Sequence, residues 1–102
     1  MPTLRITIEG NSDALLMRLE GRIAGPWVSE FDQTWRSLAP SLGSRKLSLD
    51  LCGVTYVNQD GIRLLRHIYE ETGAEFRADT PLTRYFAEEA AHEPEKSVSG
   101  GA

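Results

Sequence analysis

The chain has one cysteine, Cys52, and only two histidines, His67 and His92, among its 102 residues. A single thiol excludes an internal disulfide and any multi-cysteine metal centre, and two histidines far apart in sequence leave a zinc or di-iron site short of strong ligands. No metal or cofactor is expected. Long apolar runs are missing as well, so nothing in the sequence suits a bilayer span. The opening MPTLRITIEG alternates like a strand where a secretory signal would carry a charged head and an apolar core, and the expectation is a cytoplasmic protein. Basic residues are outnumbered, 11 against 15 acidic ones, for a net charge of −4. They are also scattered, which argues against a nucleic-acid partner, because phosphate binding needs clustered Lys and Arg. A glycine-rich phosphate loop, a paired-carboxylate site and a Ser/His/Asp set cannot be assembled from the spacing, so no enzyme activity is expected.

What is present suffices for one domain. A chain of this length buries roughly 60 to 70% of its unfolded surface around a single core. Residues 3 to 9 set Leu4, Ile6 and Ile8 against Arg5, Thr7 and Glu9, the period-two pattern of a strand with one buried face. Gly10-Asn11-Ser12-Asp13 reads as a turn, and residues 14 to 20 alternate again, so the two segments are expected to pair as a hairpin. Gly25-Pro26 then opens a helix whose stripe is Val28, Phe31, Trp35 and Leu38, with Pro40 and Gly43 expected to stop it. Trp35 falls on that stripe; Trp27 does not, and is expected to be partly exposed, as an aromatic anchor for a partner or as packing.

Lys46 to Cys52 forms the third alternating stretch, with Leu47, Leu49 and Leu51 inward. From about Asp60 to Thr72 the positions Ile62, Leu65, Ile68 and Tyr69 share a helical face, and Gly73 suits a left-handed C-cap. Glu75 to Ala78 is a short fourth strand, and Asp79-Thr80-Pro81 starts a last helix carrying Leu82, Tyr85, Phe86 and Ala90. After His92 the segment EPEKSVSGGA has almost nothing to bury and is expected to be disordered. Strands that alternate, rather than being apolar on both sides, imply helices on one face of the sheet and water or a partner on the other.

The run Asp50-Leu51-Cys52-Gly53-Val54-Thr55-Tyr56-Val57-Asn58-Gln59-Asp60-Gly61-Ile62-Arg63-Leu64-Leu65 resembles the core of the STAS domain, the sulfate-transporter and anti-sigma-factor-antagonist family. That core reads D-L-S-x-V-x-x-[apolar]-D-S-[S/T]-G-[apolar]-x-x-L, and the match needs no gap. Leu19-Glu20-Gly21-Arg22-Ile23-Ala24 resembles the family's second-strand ending, L-x-G-x-[apolar]-D. The resemblance covers about residues 3 to 91. It implies an α/β, two-layer STAS-like fold over residues 1–92, with a mixed four-stranded sheet, helices mainly on one face and the order β-β-α-β-α-β-α; residues 93–102 are the expected tail.

In the antagonist branch of the family a partner kinase phosphorylates the serine after the Asp, and the added charge switches partner binding off. The position suits an anion, since the first N–H groups of a helix and its macrodipole favour negative charge. Here Gln59 occupies the serine's place and offers no hydroxyl. Asn58 and Ala24 stand where the family has aspartates, so two carboxylates of the phosphosite are missing with it. The resemblance therefore implies a non-catalytic interaction module that docks a protein through Ala24, Gly25, Asn58, Gln59, Asp60, Gly61 and Arg63 but is not regulated by phosphorylation at residue 59. An anti-sigma kinase or the ATPase of a lipid-transport ABC complex is the implied partner, small-molecule sensing of a nucleotide or lipid is a competing role, and self-association through the open sheet face remains an option.

Other residues have an ordinary reading beside the functional one. Asp60 is a helix-start carboxylate or a fixed negative charge that imitates a modified state. Thr55 is a strand-end residue or a substitute phosphoacceptor. Cys52 takes the place of a family serine on the polar side of the sheet, with no basic neighbour in sequence to activate it. Arg63, Arg66 and His67 are expected to be exposed, as solvated surface or as partner contacts flanking the turn.

Overall fold

The computed structural model describes residues 4–91. His92 and the expected tail lie outside the described residues. The elements are β1 (Arg5–Gly10), β2 (Ala14–Ile23), α1 (Pro26–Leu42), β3 (Lys46–Val57), α2 (Gln59–Thr72), β4 (Glu75–Arg77) and α3 (Pro81–Ala91). The strands form one mixed sheet in the order β1-β2-β3-β4, with β1 antiparallel to β2 and both later pairings parallel. The order and the two-layer α/β architecture match the sequence expectation.

Local chemistry accounts for each junction. Asn11 Oδ1 accepts the Asp13 and Ala14 N–H groups at 2.8 and 3.0 Å, an Asx turn that closes the β1–β2 hairpin. The parallel strands are reached through α1 and α2, as crossovers require. Leu15, Met17 and Leu19 of β2 and Leu47, Leu49 and Leu51 of β3 point to one side, where they meet Phe31 and Trp35 of α1, Ile62, Leu65 and Ile68 of α2, and Phe86 of α3. The other side presents Arg18, Asp50 and Cys52, and Arg18 bridges Glu9 and Asp50 at 3.5 Å each.

Several boundaries differ from the sequence reading, most by a residue or two, and those of β2, β3 and α1 have physical causes. β3 does not end at Cys52 but runs to Val57, and β2 continues to Ile23. The simple alternation breaks after Leu51 because β3 absorbs an extra residue at each of two irregularities, opposite Arg18/Glu20 and Gly21/Arg22 of β2. Each bulge resets the phase, so Val54 and Val57 return to the core at spacings that do not look like a strand. Gly21, beside the second irregularity, has a positive φ of 105°, a conformation open to glycine.

Pro40 does not stop α1, which continues to Leu42. Pro40 removes the N–H that would bond the Arg36 carbonyl one turn earlier, but the residues after it can stay helical, and the last carbonyls of the helix find donors beyond it. Arg45 supplies them, donating from Nε to Leu42 O at 3.2 Å and from Nη2 to Ser41 O at 2.6 Å. Leu42 is buried, which rewards the extra turn.

The start of α2 is pressed against the end of β2. A Cβ built on Gly61 would lie 2.7 Å from Ile23 O and 2.7 Å from Val57 Cγ1, so only glycine lets the helix approach this closely. Elsewhere in a helix, alanine is preferred to glycine by about 1 kcal/mol. We expect the opposite sign here: Gly61→Ala destabilises by about 1–3 kcal/mol through overpacking, measured by urea unfolding. A neutral or stabilising effect would show that the seam yields.

Candidate functional site

Asn58 is the hinge between β3 and α2. Its backbone N–H donates to Ile23 O at 3.1 Å, tying the turn to the end of β2, and its own carbonyl accepts the Ile62 N–H at 2.9 Å as the first helical bond. Its φ and ψ are −87° and −177°, the extended conformation of an N-cap, and Oδ1 accepts the Gly61 N–H at 2.8 Å. Asparagine caps a helix as well as aspartate does, and here it does so without a charge.

Gln59 follows as the first residue of α2 and is exposed. Asp60 sits beside it, exposed, and pairs with Arg63 Nη1 at 3.3 Å one turn later. This surface pair lies in the helix's first turn, where a carboxylate also meets the exposed N–H groups. The loop that carries Ala24 and Gly25 faces the same end of the helix. Gly25 is exposed, whereas Ala24 and Gly61 are buried and shape the site through the backbone.

Two open clefts flank the first turn of α2. Toward α1 a cleft of about 500 Å³ is lined by Gly25, Val28, Asp32, Arg36, Asp60, Arg63 and His67, among others. Arg36 Nε donates to both Asp32 oxygens at 3.1 Å, and His67 Nε2 lies 3.9 Å from Glu71 Oε2. Toward α3 a smaller cleft of about 240 Å³ is lined by Tyr56, Asn58, Gln59, Ile62, Tyr85, Phe86 and Glu89, among others. Tyr56 and Tyr85 are 43% and 56% exposed, which makes this the aromatic side of the site. The Arg22 guanidinium stacks over the Tyr56 ring at 5.0 Å, a cation–π contact.

Sequence reasoning missed the aromatic cleft. Tyr56 was hidden by the bulges of β3, and Tyr85 read as part of the α3 stripe while its ring faces outward. One further reading is corrected: Arg63 and His67 are exposed, but Arg66 is half-buried. Its Nη2 donates to Glu89 O at 2.7 Å, pinning α2 to α3, and its Nε is buried with no hydrogen-bond partner among the described residues. Trp27 is half-buried and Trp35 is buried in the core. Thr55 Oγ1 donates to Gly21 O at 3.2 Å, a strand-to-strand contact.

Cys52 lies on the open sheet face, away from the cap. It is exposed, yet its thiol pKa is raised from 9.0 to about 11, first by the hydrogen bond it makes to Asp50, then by burial and by the charges of Asp50 and Asp79. Burial works to raise the Asp50 carboxyl, but the Cys52 backbone N–H, donating at 2.9 Å, and the Arg18 charge hold it below its usual value. Among the described residues no group of three His, Cys, Asp or Glu side chains is placed to hold a metal ion, and no helix is long and apolar enough to cross a membrane.

No family model and no curated protein sequence matches the chain. Solved structures do. An anti-sigma factor antagonist from Mycobacterium paratuberculosis superposes with a TM-score of 0.72 at 20% identity, over 81% of this chain and 74% of that one. A protein from Shewanella loihica PV-4 described as having a SpoIIAA-like fold aligns with a TM-score of 0.42 at 12% identity, over 85% of this chain and 95% of that one. The first likeness shows that the fold is STAS-like.

Two outcomes follow from the geometry. Asn58→Ala costs about 1 kcal/mol in chemical unfolding, while Asn58→Asp stays within about 0.5 kcal/mol of the parent, because the cap survives only in the second; equal losses would remove Asn58 from that role. Near pH 9.0 iodoacetamide modifies Cys52 more slowly in the folded chain than in urea, since the fold holds the proton on the thiol up to about 11, and Asp50→Asn raises the native rate. The same sign makes the folded state lose stability relative to the unfolded one as pH rises from 9.0 toward 11. Faster native alkylation would contradict the Asp50 contact.

Proposed function

We propose that this chain is a non-catalytic, cytoplasmic protein-interaction module that acts as an anti-sigma factor antagonist and docks its partner through the first turn of α2 and the Ala24-Gly25 loop. The observation that carries the reading is the placement of Gln59, outward at the first position of a capped helix on a STAS-like fold. Position 59 meets the partner; with an amide in place of a hydroxyl it takes no phosphate. The partner is an anti-sigma kinase of the histidine-kinase ATPase type, and docking stays on irrespective of kinase activity, in a pathway that regulates transcription.

The clefts beside Gln59 favour a protein surface over a small-molecule pocket. Both are open, and their linings mix paired charges with aromatic rings, unlike the enclosed apolar cavities with converging polar groups that take small ligands. Tyrosine and arginine at the rim, here Tyr56, Tyr85 and Arg63, are the residue types that dominate protein interfaces.

The test is affinity capture from the native cell with three baits: the parent, Gln59→Arg, and the double change Asn58→Asp/Gln59→Ser. The parent is expected to retain an ATPase of the histidine-kinase type, Gln59→Arg to lose it at unchanged folding stability, and the double change to gain one phosphate in intact mass when ATP is supplied. Recovery of transporter subunits instead, or equal capture by parent and Gln59→Arg, would overturn the reading.

A further inference from the structure

β1 is an edge strand: it pairs with β2 on one side and with no other strand of the sheet. Such an edge is a template for another chain unless charge or distortion blunts it. The charges on β1 are arranged differently. Along Arg5-Ile6-Thr7-Ile8-Glu9 the sequence is symmetric about Thr7 in hydrophobicity and antisymmetric in charge.

The hairpin fixes which backbone groups are free. The Asn11 N–H donates to Ala14 O at 2.9 Å, continuing a ladder in which Arg5 faces Glu20, Thr7 faces Arg18 and Glu9 faces Leu16. Antiparallel ladders alternate hydrogen-bonded and non-hydrogen-bonded pairs, so Arg5, Thr7 and Glu9 turn their N–H and C=O groups toward β2. Ile6 and Ile8 therefore turn theirs outward. Ile8 is also 42% exposed, one of the few large apolar side chains left in solvent among the described residues.

We propose that the chain forms a twofold homodimer by antiparallel pairing of β1 with β1 of a second copy, centred on Thr7, so that the two four-stranded sheets become one. In this register Ile6 of each copy lies opposite Ile8 of the other, and their outward backbone groups form the hydrogen-bonded pairs. Arg5 lies opposite Glu9 in non-hydrogen-bonded pairs, where side chains approach most closely. Arg5 has no ion-pair partner among the described residues, and Glu9, 55% exposed, has only the 3.5 Å contact with Arg18. Moving the axis to Ile6 or Ile8 keeps the outward backbone groups in phase but sets Arg5 against Thr7 or Thr7 against Glu9, and loses both charge pairs. Charge complementarity therefore selects one register. The inference rests on β1 alone and stands or falls independently of docking at α2.

Sedimentation of the full chain over a range of concentrations tests it. The parent is expected to reach twice the chain mass. Arg5→Glu and Glu9→Arg each place like charges across the axis and weaken dimerisation about tenfold or more. Mixing these two variants, or combining both changes in one chain, restores opposite charges in both pairs and returns the dimer. In a Cys52→Ser background, Thr7→Cys is expected to form an intermolecular disulfide under mild oxidation, because only this register puts residue 7 opposite itself at about 4.5 Å between Cα atoms. Arg5→Cys in the same background is not. A parent that remains monomeric at its highest soluble concentration overturns the proposal, as does a dimer that ignores the charge reversals or does not cross-link at residue 7.

Discussion

The carbonyl of Ile23 is the point on which the site depends. It accepts the N–H of Asn58 at 3.1 Å, and Gly61 packs directly against it with no room for a Cβ. One oxygen at the end of β2 thus fixes both where β3 ends and how closely α2 approaches the sheet. The Asn58 side chain completes the arrangement by capping the helix that its backbone begins. The helix axis is thereby set, so the first residue of the helix has one direction in which to point.

That direction is outward, and the residue there is glutamine. Helix-start N–H groups create a field that favours an anion, and the fold retains it. Asp60 is the charge that occupies it, with Arg63 one turn away. The residues that set the geometry of the turn, Asn58 and Gly61, act through a cap and through the absence of a side chain. Those that face the solvent are free to differ.

Much of this was legible in the sequence. Alternation in residues 3 to 9, 14 to 20 and 46 to 52 gave three strands, because each has one face on the core and one in solvent. Gly73 forms the left-handed C-cap expected of it, with its N–H on Tyr69 O at 2.7 Å. What was not legible has physical causes. The bulges of β3 conceal Val54 and Val57 as core residues by breaking the period, and with them they conceal Tyr56 on the surface. Pro40 reads as a stop, yet the two residues after it stay helical; the Arg45 side chain that bonds their carbonyls lies beyond the helix, and its reach is visible only in three dimensions. Arg66 looks like any exposed cation on the outer face of α2; that α3 folds over it is a tertiary fact. Side-chain exposure around the turn depends on α1 and α3 converging there, which no local pattern encodes.

The account's central claim is that a protein partner meets the exposed first turn of α2. The most direct measurement is a titration of isotopically labelled chain with the captured partner, followed through backbone amide shifts. The claim predicts that the largest changes cluster at Gly25, Gln59, Asp60 and Arg63, with Tyr56 and Tyr85 next. Changes confined to the open sheet face, at Arg18, Asp50 and Arg77, with the start of α2 unmoved, would contradict it.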